Sequence, residues 1–217
     1  MARLLAVAGF LAQAAPGDEA ARAALGRLSE RFRDLRTLSC SVVQERRTAL
    51  LDKPIASSGT MIYRRDPARL VFRMSEPRST EIHLDPRTYQ VHRPDEKRLE
   101  RIEFGDDGLT GRLLMVFRPG EGELGKAFSV RAGESKGGDL EVRLEPTDEK
   151  AREKLRRLVL TVRESDGALR RILYEDAEGD EVRFDLSDVK LNPDLPAEAF
   201  ELRVPEGTRV FRHAAKP

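Results

Sequence analysis

The chain has 217 residues, of which 39% are hydrophobic and only 6% aromatic, with no tryptophan. Its 39 Lys and Arg are balanced by 38 Asp and Glu, and the two signs are interspersed along the chain. Nucleic-acid binding is therefore not expected, because a phosphate backbone requires a net basic face. The length allows one large domain or two small ones.

The first fifteen residues, MARLLAVAGFLAQAA, differ from the rest of the chain. Arg3 precedes a short apolar run that ends in Ala12-Gln13-Ala14, a pattern typical of a secretory signal peptide. The run is shorter than the roughly 20 apolar residues that span a bilayer. We therefore predict that residues 1–15 are removed by cleavage near Ala14. The alternative is an N-terminal amphipathic helix that packs on the domain.

Residues 18–36 predict an amphipathic helix. Acidic Asp18 and Glu19 suit its N-terminal end, and basic Arg33 and Arg36 suit its C-terminal end. Apolar residues recur at helical spacing along one side, so the helix needs an apolar partner; these residues are Ala21, Leu25, Leu28, Phe32 and Leu35.

From residue 37 onward the apolar pattern has a period of two, which predicts strands separated by short turns. An apolar segment at 108–118 and a short helix at 147–156, N-capped by Thr147 or Asp148, interrupt the series. Short turns favour antiparallel neighbours, so we predict one large sheet in a single domain, residues 16–217. The predicted strands are 38–47, 59–65, 69–75, 80–84, 88–93, 98–104, 127–132, 139–145, 157–164, 169–176, 180–190 and 199–203.

The alternation assigns an apolar face and a solvent-facing face to the sheet. A large twisted sheet curls, so the helix and the 108–118 segment would lie against its concave apolar face. Whether they fill the concavity or leave a cavity decides between a simple core and a binding site. The apolar face is assigned to Leu38, Cys40, Val42, Met61, Tyr63, Leu70, Phe72, Met74, Ile82, Leu84, Leu158, Leu160, Val162, Val182, Phe184 and Leu186. The solvent-facing side is assigned to Gln44, Arg64, Arg69, Arg73, Thr161, Arg163, Arg183 and Asp185.

Catalytic and metal-binding patterns are not evident in the sequence. Cys40 is the single cysteine, cannot form an internal disulfide, and is interpreted as a small buried apolar residue. His83, His92 and His213 have no metal-ligand spacing, and the usual nucleophile, phosphate-loop and dinucleotide motifs do not occur. We therefore predict no catalytic residues, no metal, no cofactor and no enzymatic activity.

Four segments, in order, resemble the outer-membrane lipoprotein carrier (LolA) family of periplasmic proteins. An amphipathic helix leads into LSCSVVQ, and GTMIYRRDPARLVFRMSEP resembles the family's G-x-L…R-P…F-x-W…P segment. DPRTYQVHRP is similar to a turn followed by a strand with a Y-x-P-like end. The closing AFELRVPEGTRV resembles F-x-F-x-x-P-x-G-V and is the most specific of the four.

The resemblance implies an unclosed, strongly curved antiparallel β-barrel, mainly β in class, with a helical lid over a hydrophobic cavity. The aromatic-rich inward strand of the family corresponds to Leu70, Phe72 and Met74. Its lid-holding arginine corresponds to Arg64 or Arg65, since Asp66 stands between Arg65 and Pro67 here. The lid would be formed by Leu25, Leu28, Phe32, Leu113 and Leu114. The lipid-binding surface would be formed by Leu38, Cys40, Val42, Met61, Tyr63, Leu70, Phe72, Met74, Ile82, Leu84, Leu160 and Phe184.

The implied function is a periplasmic carrier of lipoprotein acyl chains or another lipid between the inner and outer membranes. Its partners would be an inner-membrane release complex and an outer-membrane acceptor, and we expect a monomer. The first alternative is an envelope sensor or protein-interaction module on the same fold, in which the concavity is filled. The second is a hydrolase acting on a lipid-like substrate, for which no clustered acidic or histidine residues can be placed inside the cavity.

Overall fold

The computed structural model describes residues 16–48, 51–103, 114, 116–117 and 123–214. The predicted signal peptide and most of the 108–118 segment, including Leu113, lie outside these residues. Helix α1 spans Pro16–Arg31, and no helix in this part of the chain is long and apolar enough to cross a bilayer.

Helix α1 ends earlier than the predicted residue 36, because side chains from distant strands take over its backbone hydrogen bonds. The Asn192 side chain accepts from the backbone N–H of Arg36 at 2.6 Å and donates to the carbonyl of Asp34 at 3.1 Å. Phe32 and Leu35 remain buried beyond the end of the helix. The helical spacing therefore predicted correctly that Phe32 and Leu35 are buried, although the helix ends before both of them.

The structure confirms eleven of the predicted strands, with bounds close to those expected. The strand predicted at 199–203 is wrong, because residues Ala197–Phe200 form a 3₁₀ turn and the last strand lies further on. The strands are β1 (Thr37–Arg47), β2 (Ile55–Arg64), β3 (Arg69–Glu76), β4 (Thr80–Leu84), β5 (Thr88–Arg93), β6 (Arg98–Glu103), β7 (Phe128–Lys136), β8 (Asp139–Pro146), β9 (Leu155–Arg163), β10 (Leu169–Asp176), β11 (Glu181–Leu191) and β12 (Arg209–Ala214).

All twelve strands belong to one sheet, in the order β12-β6-β5-β4-β3-β2-β1-β11-β10-β9-β8-β7. Neighbours are antiparallel except β12, which pairs with β6 in parallel. β12 and β7 are the two edges, so the barrel is unclosed. The sheet curls strongly, since Phe72 of β3 stacks on Phe184 of β11 at 5.1 Å although β2 and β1 lie between them.

The concave face carries the main hydrophobic core. Helix α1 packs against β7, β8 and β9, at one end of the sheet. Two short helices complete the fold, α2 (Glu123–Ala127) and α3 (Glu149–Arg152). Asp148 is the N-cap of α3, because its side chain accepts from the backbone N–H of Ala151 at 2.9 Å.

The convex face is partly covered, which the alternation alone does not predict. The chain after β11 crosses this face, and Phe200 packs with Ile62 and Val71 in a second small core. Arg64 lies 4.7 Å from the centre of the Phe200 ring, and the Arg73 guanidinium donates to the carbonyl of Ala199. This segment therefore fastens the C-terminal part of the chain to β2 and β3.

We expect Phe200→Ala to lower the free energy of unfolding by about 3–5 kcal/mol, the usual cost of removing a buried phenylalanine side chain. Phe211→Ala is the matched control, because Phe211 also lies under an arginine, at 4.6 Å from Arg98, but is 36% exposed whereas Phe200 is 5% exposed. Urea unfolding of both variants measures the difference. Equal losses of unfolding free energy in the two variants would show that the packing of the chain after β11 does not depend on Phe200.

Candidate functional site

An apolar cavity of about 100 Å³ lies on the concave face, between β2–β5 on one side and β10–β11 on the other. Its wall brings together strands from both halves of the curled sheet. The lining residues are Gln44, Arg46, Met61, Leu70, Phe72, Ile82, Leu84, Tyr89, Phe117, Ile172, Tyr174, Val182 and Phe184.

Six of the twelve predicted lipid-binding residues line this cavity, namely Met61, Leu70, Phe72, Ile82, Leu84 and Phe184. The other six are buried in the main core next to it and do not reach the cavity surface; they are Leu38, Cys40, Val42, Tyr63, Met74 and Leu160. Alternation placed all twelve on the correct face. Which of them reach the cavity depends on how the sheet curls, and a period of two does not encode that curvature.

The assignment of Gln44 to the solvent-facing side is wrong. Gln44 follows Val42 by two residues and therefore points to the same face, where it contributes to the cavity wall with its cross-strand neighbour Phe184. Arg46 follows Gln44 by two residues and lies on the same face. The alternation of side chains along β1 could therefore have assigned both residues to the concave face. The remaining cavity residues that sequence reasoning did not assign to the site are Tyr89, Phe117, Ile172, Tyr174 and Val182.

Phe117 closes the cavity at the end nearest α1. Its ring stacks between Tyr63, at 5.0 Å, and Phe32, at 6.3 Å between centroids. The predicted lid residues Leu25, Leu28, Phe32 and Leu114 are all buried. Helix α1 packs on β7–β9. From the predicted lid segments, the described residue that reaches the cavity wall is Phe117, and Phe32, just after α1, packs on its ring.

Arg65 links the end of α1 to the sheet. It follows β2, and its guanidinium donates to the carbonyls of Phe32, at 2.5 Å, and Arg33, at 2.9 Å. Its backbone N–H also donates to the carbonyl of Arg36 at 2.9 Å. Arg64 points to the convex face, over Phe200. Of the two arginines considered for holding the lid, Arg65 makes the contacts that such a role requires.

The cavity is closed in this conformation. A volume of about 100 Å³ is smaller than the roughly 150 Å³ of an engineered cavity that holds one benzene molecule, and is too small for an acyl chain. The concavity is thus mostly filled by Phe117 and the core side chains. Binding of a long apolar ligand therefore requires the cavity to enlarge.

Neither the cysteine nor the buried histidines form a reactive site. Burial raises the pKa of the Cys40 thiol to about 12, so it stays protonated. His83 and His92 are buried in the sheet, and His83 Nε2 lies 3.5 Å from a carboxylate oxygen of Glu81. This contact with His83 lowers the pKa of Glu81, as expected for a structural polar cluster.

These features define a class of protein: a curled, unclosed antiparallel sheet with an N-terminal helix and an apolar cavity on its concave face. The profile of the family "Outer membrane lipoprotein carrier protein LolA" matches residues 33–203, and the chain belongs to this family.

Two relatives agree with this assignment, and one solved structure shares the fold. The chain is 26% identical over 156 residues to the outer-membrane lipoprotein carrier protein of Cupriavidus pinatubonensis. The aligned residues cover 72% of this chain and 70% of the relative. It is 27% identical over 157 residues to the protein of the same name from Cupriavidus taiwanensis, covering 72% and 71%. A crystal structure of an uncharacterised conserved protein from Thermus thermophilus superposes with a TM-score of 0.52 at 10% identity, covering 89% of this chain and 99% of that one.

We expect Arg65→Ala to expose the core near α1, because it removes two hydrogen bonds from a charged donor that contribute about 1.5–3 kcal/mol each. Cys40 is the single thiol, so its labelling by a thiol reagent under native conditions reports the opening. We predict labelling at least about tenfold faster than in the unmodified protein, since about 1.4 kcal/mol corresponds to a factor of ten.

Arg64→Ala is the matched control for this measurement. It removes the neighbouring arginine, whose side chain lies on the opposite face of the sheet. Its Cys40 labelling rate should stay close to that of the unmodified protein. Equal rates in the two variants would contradict a specific role for Arg65.

Proposed function

We propose that the protein is a periplasmic, non-enzymatic carrier that takes an acyl chain of a lipoprotein or another lipid into the concave cavity. The observation that carries this proposal is the apolar cavity on the concave face, whose wall includes Phe72, Phe184 and Phe117. Membership of the lipoprotein carrier family supports it. The carrier would receive the acyl chain from a release complex at the inner membrane and deliver it to an outer-membrane acceptor. It would act as a monomer.

The energies of binding and opening are compatible with reversible carriage. Each methylene removed from water contributes about 0.8 kcal/mol, so ten buried methylenes contribute about 8 kcal/mol. Opening the site breaks the two hydrogen bonds of Arg65, at about 1.5–3 kcal/mol each, and unstacks Phe117. The acyl chain therefore offsets the cost of opening and keeps a modest surplus, which allows an acceptor to remove it.

The wall residues suit a cavity that must change shape. Met61 lines the cavity and Met74 lies in the adjacent core. Methionine side chains are unbranched and flexible, so they can repack around chains of different length. Ile82 and Phe184 are only partly buried, which leaves room for their side chains to adjust when the ring of Phe117 moves.

The absence of tryptophan from the chain allows a direct binding test. We expect Phe184→Trp to place an indole in the cavity wall, where dibrominated stearic acid should quench its emission with a saturating curve. Val43→Trp is the control, because Val43 is 49% exposed and pairs with Asp185 on the convex side of β1 and β11.

In the control, only weak collisional quenching that rises linearly with concentration is expected. Identical quenching curves for the two variants would contradict binding in the cavity. Failure of the lipid to bind, combined with a stable complex between the protein and another envelope protein, would instead favour the sensor or interaction module.

A further inference from the structure

The wall of the apolar cavity contains four polar side chains, Gln44, Arg46, Tyr89 and Tyr174. A cavity that received only hydrocarbon would need none of them. Arg46 is 52% exposed, whereas Met61 and Leu70, also in the wall, are 1% and 3% exposed. The polar residues therefore mark the mouth of the cavity and the aliphatic residues its interior.

The strand register groups these polar residues. Arg46 of β1 pairs with Val182 of β11, which pairs with Tyr174 of β10. In the next inward-facing row, Gln44 pairs with Phe184. Three of the four polar residues thus lie in or next to one row across β1, β11 and β10.

Tyr89 reaches the same region from the opposite side of the curled sheet. It lies on β5 and pairs with Leu84, yet its phenol group interacts electrostatically with Arg46 and with Tyr174. The curl of the sheet therefore brings the tyrosines of β5 and β10 together above the apolar interior.

The hydrogen-bonding capacity of this cluster is largely unused by the described residues. Within them, neither tyrosine hydroxyl nor the Gln44 amide takes part in a hydrogen bond, and Arg46 is bonded to Asp180 at 3.1 Å. Desolvation by burial raises the pKa of both Tyr89 and Tyr174, so their hydroxyls remain protonated donors at neutral pH. None of these groups is among the described buried polar atoms that lack a partner, so they reach solvent at the mouth, where an acceptor oxygen of a ligand can replace water.

We infer that Tyr89, Tyr174 and Gln44 form a polar subsite that accepts the carbonyl oxygen of an acyl ligand, with the hydrocarbon tail directed towards Met61 and Leu70. This inference rests on the proposed carrier function and adds to it the orientation of the cargo and the chemistry of its head. The Arg46 charge is already paired with Asp180, so the hydroxyls and the amide, rather than this charge, contact the carbonyl. The carbonyl belongs either to a free carboxylate or to an ester or amide.

The experiment compares three fluorescent polyene probes: cis-parinaric acid, its methyl ester, and diphenylhexatriene, which is a hydrocarbon. Tyr89→Phe, Tyr174→Phe and the double variant remove only hydroxyls and keep the rings. Thr60→Val is the control, because it also removes a hydroxyl, but from an exposed residue of β2 that pairs with Arg73 on the convex side of the sheet.

We expect each hydroxyl removed from the mouth to weaken binding of the two carbonyl-bearing probes about 3- to 10-fold, as for a neutral hydrogen bond. Diphenylhexatriene should bind all variants equally, and Thr60→Val should change none of the three affinities. Weaker binding of the acid alone assigns the subsite to carboxylates. Weaker binding of both the acid and the ester assigns it to the carbonyl group that they share, as in an ester or amide.

Two results would overturn the inference, and they have different meanings. Unchanged affinity of both carbonyl-bearing probes in the double variant, with diphenylhexatriene still bound, would remove the polar subsite and leave the carrier function intact. Failure of all three probes to bind the unmodified protein would reject the carrier function together with the subsite.

Discussion

The structure depends on the need to cover one apolar face of a sheet of twelve strands. Helix α1, at Pro16–Arg31, packs mainly on β7, β8 and β9. The rest of the face is covered by the curl of the sheet, which brings Phe72 and Phe184 into contact. What remains between the two halves is a small apolar cavity whose closure depends on Phe117.

The contacts that can break without unfolding of the sheet lie together, around Phe117 and Arg65. Most of the core consists of fully buried aliphatic side chains between strands, such as Leu158 and Leu160, and these contacts are lost only on global unfolding. The closure, in contrast, consists of the Phe117 stack and the hydrogen bonds of Arg65 to the turn after α1. Regions held by few contacts open at lower free energy than the core, so the cavity can open while the sheet stays intact.

Much of the fold could be predicted from the sequence, because a period of two determines both the strands and the face that each residue occupies. The cavity wall was harder to predict, because curvature decides which same-face residues meet. Gln44 was misassigned because its polarity was given more weight than its position two residues after Val42. The strand predicted at 199–203 failed since Phe200 is buried by packing on the convex face, without strand pairing. Arg64 and Arg65 could not be distinguished, because the contacts that separate them, the Phe32 and Arg33 carbonyls for Arg65 and the Phe200 ring for Arg64, lie far away in sequence.

The central claim is that the closed cavity enlarges to enclose an acyl chain when Phe117 leaves its stack with Tyr63. A crystal structure of residues 16–217 grown with a saturated sixteen-carbon fatty acid tests it most directly. We predict a hydrocarbon chain along the wall formed by Phe72 and Phe184, with the Phe117 ring displaced from its present 5.0 Å contact with Tyr63. A saturated crystal in which the chain lies elsewhere on the protein and the Phe117 stack is unchanged would contradict it.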